Sequence, residues 1–287
     1  MVFFKSKEFL GILFAVAAYF SFSILDAFQK TAVINHSIFQ LLFIKYLFAL
    51  LLSCSEAQRK KNYNFWQSKN VKLQIFRSFL SIIESGCFVL SFRYLSLADV
   101  HSVGSLTPII IVALSALILK EKVSPKTWIA IFVGFLGVLI ILRPGLSIFD
   151  IKSLLPLIAA FFLGLYQVVT RKVSENDSTE TSLFYTSLIG IMTMSILAFS
   201  YWQPLILNSY FLFTGIGIFF SMAIYCQIIA LSKARASIIQ PFHYTLIFWA
   251  IILGYLIYDD VPDLFTIIGA CIITVSGIYV LNQRTIE

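Results

Sequence analysis

The sequence predicts an all-helical integral membrane protein, a bundle of ten transmembrane helices arranged as two inverted five-helix repeats. Three observations carry that prediction. Of 287 residues, 59% are apolar and only 12% charged, with a mean hydropathy of +0.91, whereas a soluble surface needs about twice that charged fraction. Ten mostly apolar segments approach the about 20 residues that cross about 30 Å of hydrocarbon. The chain also resembles itself at an offset near half its length. The same composition excludes a disordered chain, and 4 Cys are too few for a disulfide scaffold.

In order, the segments are 9–29, 36–54, 73–95, 99–119, 127–142, 154–171, 182–202, 209–231, 237–257 and 264–282. The first follows Lys5 and Lys7 as a signal peptide would, but its apolar run reaches Leu25 and is followed by Asp26 and Lys30. A cleavage site calls for small residues there, so a retained helix is expected. The second and third flank the basic loop Arg59-Lys60-Lys61, and a few residues separate the third from the fourth. The fifth is the shortest. Most are continuous apolar runs, without the period-2 alternation of an outer-membrane barrel. A helix, whose backbone satisfies itself, is the alternative that lipid permits.

Lys and Arg set the orientation. With a cytoplasmic N-terminus, one side collects Lys5, Lys7, Arg59, Lys60, Lys61, Lys69, Lys72, Lys120, Lys122, Lys126, Arg171, Lys172, Lys233, Arg235 and Arg284. The other collects only Lys30, Arg93, Arg143 and Lys152, while Lys45 and Arg77 lie within spans. Both termini are therefore expected in the cytoplasm, with the chain in the inner (plasma) membrane. The net charge of +7 is accounted for by topology and lipid headgroups, and no nucleic-acid partner is needed.

The repeats are expected at 1–145 and 150–287. Leu95-Ser-Leu-Ala98, a helix with Pro108, Glu121-Lys-Val-Ser-Pro125 and a helix ending Gly137-Val-Leu-Ile are matched in the second half. The counterparts are Leu231-Ser-Lys-Ala234, a helix with Pro241, Asp260-Val-Pro262-Asp263 and a helix ending Gly277-Ile-Tyr-Val. Ala17-Ala18 through Gln29-Lys30 likewise pairs with Ala159-Ala160 through Arg171-Lys172. Five spans per half, an odd number, invert the second half relative to the first. Secondary transporters build two mirror-related openings around one midplane site in this way.

The stretch Arg93-Tyr94-Leu95-Ser96-Leu97-Ala98-Asp99, with Thr107-Pro108, Lys120-Glu121-Lys122-Val123-Ser124-Pro125-Lys126-Thr127-Trp128, Val133-Gly134-Phe135-Leu136-Gly137-Val138 and Leu142-Arg143-Pro144-Gly145, resembles the EamA-type transporters of the drug/metabolite transporter superfamily. Pro241-Phe242-His243-Tyr244-Thr245 and Asp260-Val261-Pro262-Asp263 extend the resemblance to the second half. It implies a ten-helix inner-membrane carrier of small metabolites such as amino acids, amines or nucleoside-like compounds; the S-adenosylmethionine carriers are similar in the third and fourth helices. Three positions depart from the family pattern: Lys45 where Arg is usual, His243 where many relatives carry Glu, and Glu84 where small or apolar residues prevail.

An ionisable side chain at membrane depth costs about 2.5–3.5 kcal/mol on insertion scales, so it should face the interior and have a partner. Glu84 is the clearest case, either as a cavity carboxylate or as the ion-pair partner of Arg77 or Lys45. Asp26 and Lys30, at i, i+4, are expected to pair along one helix face, with Asp26 keeping a claim on the cavity. His101, Gln240, His243 and Tyr244 are candidates around the two prolines, and Pro108 and Pro241 are candidate hinges, since proline leaves a backbone carbonyl free. Gln167, Gln227 and its repeat-related Ser91 supply neutral donors and acceptors, and Tyr19, Phe88, Phe248 and Trp249 are possible cation-binding faces. Gly134, Gly137, Gly269 and Gly277 permit close helix contact, within the chain or across a homodimer.

No phosphate loop provides for ATP. Four Cys apart from one another and 3 His offer no metal-ligand spacing, and the loops are too short for a catalytic domain. The expectation is a cofactor-free secondary carrier of a cationic or zwitterionic metabolite, with its site among the third, fourth, eighth and ninth helices. The rival expectation is a non-transporting membrane receptor or assembly protein, which a sealed apolar centre would favour.

Overall fold

A computed structural model describes residues 7–118, 125–142, 151–234 and 239–286. The motif residues 120–124 and 143–145, together with Lys5 and Arg235, lie outside the described residues, as do the side chains of Gln240, Pro241 and Arg284. The described residues form α1 Lys7–Asn35, α2 Ile38–Arg59, α3 Val71–Phe92, α4 Leu97–Gly104, α5 Thr107–Ile118, α6 Pro125–Leu142, α7 Leu155–Val173, α8 Thr179–Ser200, α9 Leu207–Lys233, α10 Thr245–Tyr258 and α11 Leu264–Ile286. Short 3₁₀ turns at Ile151–Leu154 and Gln240–Tyr244 precede α7 and α10. Among the described residues there is no strand. Seven of these stretches are long and apolar enough to cross a membrane, with α4 and α5 counted as one, and Trp128–Leu142, Phe242–Tyr258 and Leu264–Tyr279 are shorter apolar helices.

Local chemistry sets the helix ends. The Ser96 hydroxyl accepts from Asp99 N at 3.0 Å to open α4, and the Ser178 hydroxyl accepts from Thr181 N at 3.2 Å to open α8. Each satisfies a backbone donor that the first turn leaves free. Pro156 stands in the first turn of α7, where no intrahelical donor is lost. Lys61 and Asp259 take left-handed φ of 54° just past α2 and α10, stopping both helices. The segment 99–119, predicted as one span, breaks at Ser105–Leu106, immediately before Thr107-Pro108. Among the described residues of the ninth segment, Gln240–Tyr244, which includes Pro241, forms a tight 3₁₀ turn leading into α10. A proline has no N–H for the preceding turn, so both interruptions fall where the sequence places them.

The main helix pairings join the first half to the second: α1 with α9, α2 with α8, α3 with α7, and α6 with α11. Lesser pairings are α2 with α9, α3 with α8, α5 with α7, α1 with α10 and α4 with α10. Exchanging α1–α3 with α7–α9, α4–α5 with α10, and α6 with α11 maps this pattern onto itself. The two halves interdigitate around a common core.

Small residues make the close approaches. In α6 and α11 a Cβ on Gly269 would come within 2.7 Å of Gly137 O, and one on Gly137 within 3.0 Å of Gly269 O. These glycines therefore pack helix to helix inside one chain. Gly190 and Gly217 receive the rings of Tyr46 and Phe48. One end of the bundle gathers Lys30, His36, Leu95, Asp260 and Thr266, and the other gathers Lys60, Gln74, Asp177, Glu180 and Ala234.

Candidate functional site

Between these ends lies a cavity walled by α1, α2, α3, α4, α7, α9 and the turn leading into α10. From α1 come Tyr19, Phe22, Asp26 and Gln29, one stripe at helical spacing, and from α2 comes Lys45. Glu84, Ser85 and Phe88 project from α3, His101 from α4, Gln167 from α7, Phe220 and Gln227 from α9, and His243 from the 3₁₀ turn. The cavity holds about 60 Å³ measured at the centres of water-sized spheres. A single water needs ~10–15 Å³ on that measure, so the space suits a few waters.

Its electrostatics are mixed in sign. His101 Nε2 lies 3.0 Å from Asp26 Oδ2, with both side chains nearly buried. Lys45 is buried, and its Nζ sits 4.5 Å from the centre of the Phe220 ring and 5.5 Å from that of Tyr46, a cation–π placement. Glu84 is half-buried and takes a hydrogen bond from Ser85 at 3.1 Å. Among the described residues no ion pair within 4 Å joins Lys45 to Glu84 or to Asp26, although the Lys45 charge acts on both carboxylates. Among the described residues, Gln29 Nε2 and His243 Nδ1 are buried without a hydrogen-bond partner, polar atoms of the kind that normally find one. The His243 ring packs edge-on to Tyr19 at 5.1 Å.

Of the sequence candidates, Glu84, Asp26, His101, Gln167, Gln227 and His243 meet at this cavity. Tyr244 does not line it: the ring packs toward Gly277 on α11, on the other side of the 3₁₀ turn. Ser91 is spent on its own helix, donating to Cys87 O at 2.7 Å. Gln240 and Pro241 lie in the turn, their side chains outside the described residues. Phe248 is exposed and Trp249 packs edge-to-face on Phe20, both away from the cavity.

The expected Asp26–Lys30 pair is replaced by two longer-range contacts. Asp26 turns to His101, and Lys30 Nζ bonds Asp260 Oδ2 at 2.7 Å and Leu95 O at 3.2 Å. Arg77 is not the partner of Glu84. It donates to Gln74 Oε1 at 3.1 Å, Tyr166 OH at 3.1 Å, Thr186 Oγ1 at 2.7 Å and Ser182 O. The site also extends beyond the four helices expected, because α1, α2 and α7 contribute to its wall. Gln29, Ser85, Phe22 and Phe220 were not among the candidates. Gln29 and Phe22 continue the face of α1 that carries Asp26, and Phe220 stands 136 residues after Glu84, the offset of Leu95 to Leu231.

A multi-pass helical membrane protein with a polar, charge-lined centre is the class that this fold and cavity define. The chain belongs to the EamA-like transporter family, which matches it twice, at residues 9–143 and 151–283. It is similar to a riboflavin transporter of Vibrio cholerae, 34% identical over 60% of this chain and 58% of that protein, so the alignment spans little more than half of that relative. It is also similar to the pseudopaline exporter of Pseudomonas aeruginosa, 25% identical over 93% and 94% of the two chains. An S-adenosylmethionine uptake transporter of Rickettsia prowazekii is 25% identical over 62% of this chain and 60% of its own. A crystal structure of a protein 16% identical superposes with a TM-score of 0.70 over 96% of this chain and 98% of that one, which establishes the shared fold.

Proposed function

We propose that the protein is a secondary transporter that carries a small cationic or zwitterionic metabolite, such as an amino acid, an amine or an S-adenosylmethionine-like sulfonium, by alternating access. The observation that carries this reading is the meeting of Asp26 and Glu84 with Lys45 and His101 around one central cavity. Carboxylates suit an ammonium or sulfonium group, and Lys45, a compact charge on a flexible stem, suits a substrate carboxylate. The arrangement we favour is ten spans in two inverted repeats, with the three shorter apolar helices completing the count, in the inner membrane with both termini cytoplasmic. The self-mapping helix pairings and the excess of Lys and Arg on one side support it.

A second reading has support of its own. Gln29, Gln167 and Gln227, with Tyr19, Phe22, Phe88 and Phe220, form an amide-and-ring lining suited to a neutral planar heterocycle, and one similar protein is named a riboflavin transporter. A thermal-shift screen of the purified protein against amino acids, amines, sulfonium compounds and riboflavin separates the two, because a ligand that binds the folded state raises its apparent stability. Uptake by proteoliposomes then tests each hit. Stabilisation and uptake confined to riboflavin would replace the first reading with the second, and binding without uptake would favour a receptor.

A further inference from the structure

The two ends of the bundle carry matching contacts from a cation to a backbone carbonyl. At one end Lys30 Nζ donates to Leu95 O at 3.2 Å, and at the other Arg171 Nη1 donates to Leu231 O at 2.7 Å. Leu95 O lies just past the end of α3 and Leu231 O in the last turn of α9. Leu231 O, in a last turn, carries the negative end of a helix dipole, so a cation is its natural complement, and Leu95 O lies in the short link between α3 and α4.

The correspondence is also written in the sequence. Leu95 and Leu231 occupy the same place in the repeated Leu-Ser-x-Ala motif, and Lys30 and Arg171 belong to the matched dipeptides Gln29-Lys30 and Arg171-Lys172, one residue apart in register. One contact fastens α1 to the end of α3 and the other fastens α7 to α9, the equivalent pair of helices. Three of the four residues stand just beyond the cavity wall: Lys30 directly follows the wall residue Gln29, while Arg171 follows Gln167 by four residues and Leu231 follows Gln227 by four, a rise of ~6 Å.

We propose that Lys30–Leu95 and Arg171–Leu231 are the two gate latches of the transport cycle, one at each mouth of the cavity, released in alternation. The proposal rests on the transporter reading. Both latches are closed in this structure, around a cavity with room for a few waters. They are unequal: Lys30 is held a second time by Asp260 at 2.7 Å, and Tyr258 OH reaches Ala27 O at 2.5 Å beside it. Among the described residues no carboxylate pairs with Arg171. The Lys30 mouth is therefore the more firmly shut.

The test is side-selective labelling. In full-length protein with Cys54, Cys87, Cys226 and Cys271 replaced, Phe88→Cys places a thiol on the cavity wall, and a membrane-impermeant maleimide is applied to right-side-out and to inverted vesicles. Lys30→Gln should raise labelling from the side of the Lys30 mouth about tenfold, equivalent to ~1.4 kcal/mol, and Arg171→Gln should raise it from the opposite side. Lys30→Arg and Arg171→Lys, which keep a donor, should stay near background, and Asp260→Asn should give a smaller rise on the Lys30 side. Asp260→Asn also stands in should Lys30→Gln fail to fold. Unchanged labelling in the folded variants, or a rise on the same side for both latches, would overturn the proposal. No substrate is needed for labelling. Side-selective opening without uptake of any amino acid or amine would leave the latches standing and remove the substrate reading, whereas uptake with unchanged labelling would do the reverse.

Discussion

Arg77 and Glu84 stand two turns apart on α3, and their surroundings could hardly differ more. Arg77 is wholly buried, its guanidinium donating to Gln74, Tyr166, Thr186 and Ser182 O, with its Cζ 5.3 Å from the centre of the Tyr166 ring. Gln74 passes the network on to Asp177 at 2.8 Å and to Ser182 at 3.2 Å. Among the described residues, Glu84 and the facing Lys45 have no such shell; they share a cavity wall and act on each other across a gap. Fixed polar groups satisfy the first charge and tie α3 to α7 and α8. The second pair retains unused bonding capacity, which is what the proposed site draws on. Burial of a charge therefore does not by itself mark a site, because fixed partners can satisfy it, which fits the cost of leaving buried polar groups unpaired.

That contrast can be broken by experiment, beginning with its strongest side. Arg77→Met strands several buried oxygens at once and should cost on the order of 3 kcal/mol, seen as a large drop in the melting temperature in detergent. A melt close to wild type would show that the network is dispensable. Glu84→Gln and Lys45→Met should instead melt within a few degrees of wild type yet reduce uptake of a charged substrate by about tenfold, the factor ~1.4 kcal/mol gives. Full uptake in both would take the two residues out of the site. Asp26→Asn weakens the His101 contact and should fall between the two classes, losing about 1–2 kcal/mol in the melt with a partial loss of transport. At the smallest end, Arg59→Ala removes an exposed pair with Glu56 at 2.6 Å. Such pairs contribute little, and no shift in either measurement is expected; a clear one would mean that the α2 end is tied down more firmly than its contacts indicate.

Much of the fold was legible in the residues. Segment 73–95 became α3 Val71–Phe92 and 209–231 became α9 Leu207–Lys233, because an apolar run bounded by polar residues leaves a helix little choice in lipid. Segments 99–119 and 237–257 were each expected as one span, and the 3₁₀ turn and the break at Ser105–Leu106 fall beside the prolines at 241 and 108. The first helix runs on to Asn35, beyond the predicted residue 29, since nothing between Lys30 and Asn35 breaks a helix and polarity alone does not end one. Candidate residues were found where an ionisable or amide group stood inside an apolar run, as with Glu84, Gln167 and Gln227. Gln29 was passed over because it sits near a polar boundary, and Phe220 because a phenylalanine among 29 carries no signal of its own.

The sequence by itself determined the helices, the membrane setting, the repeat and the sparse set of charges with no place in lipid. Which charges meet was decided by tertiary structure alone. Lys30 found Asp260, distant by 230 residues, in preference to Asp26 one turn away. Asp26 was left for His101. A local i, i+4 pair is worth about 0.3–0.5 kcal/mol, so the packing of α1 against α4 and α10, which fixes where each side chain is buried and what it faces, overrides it.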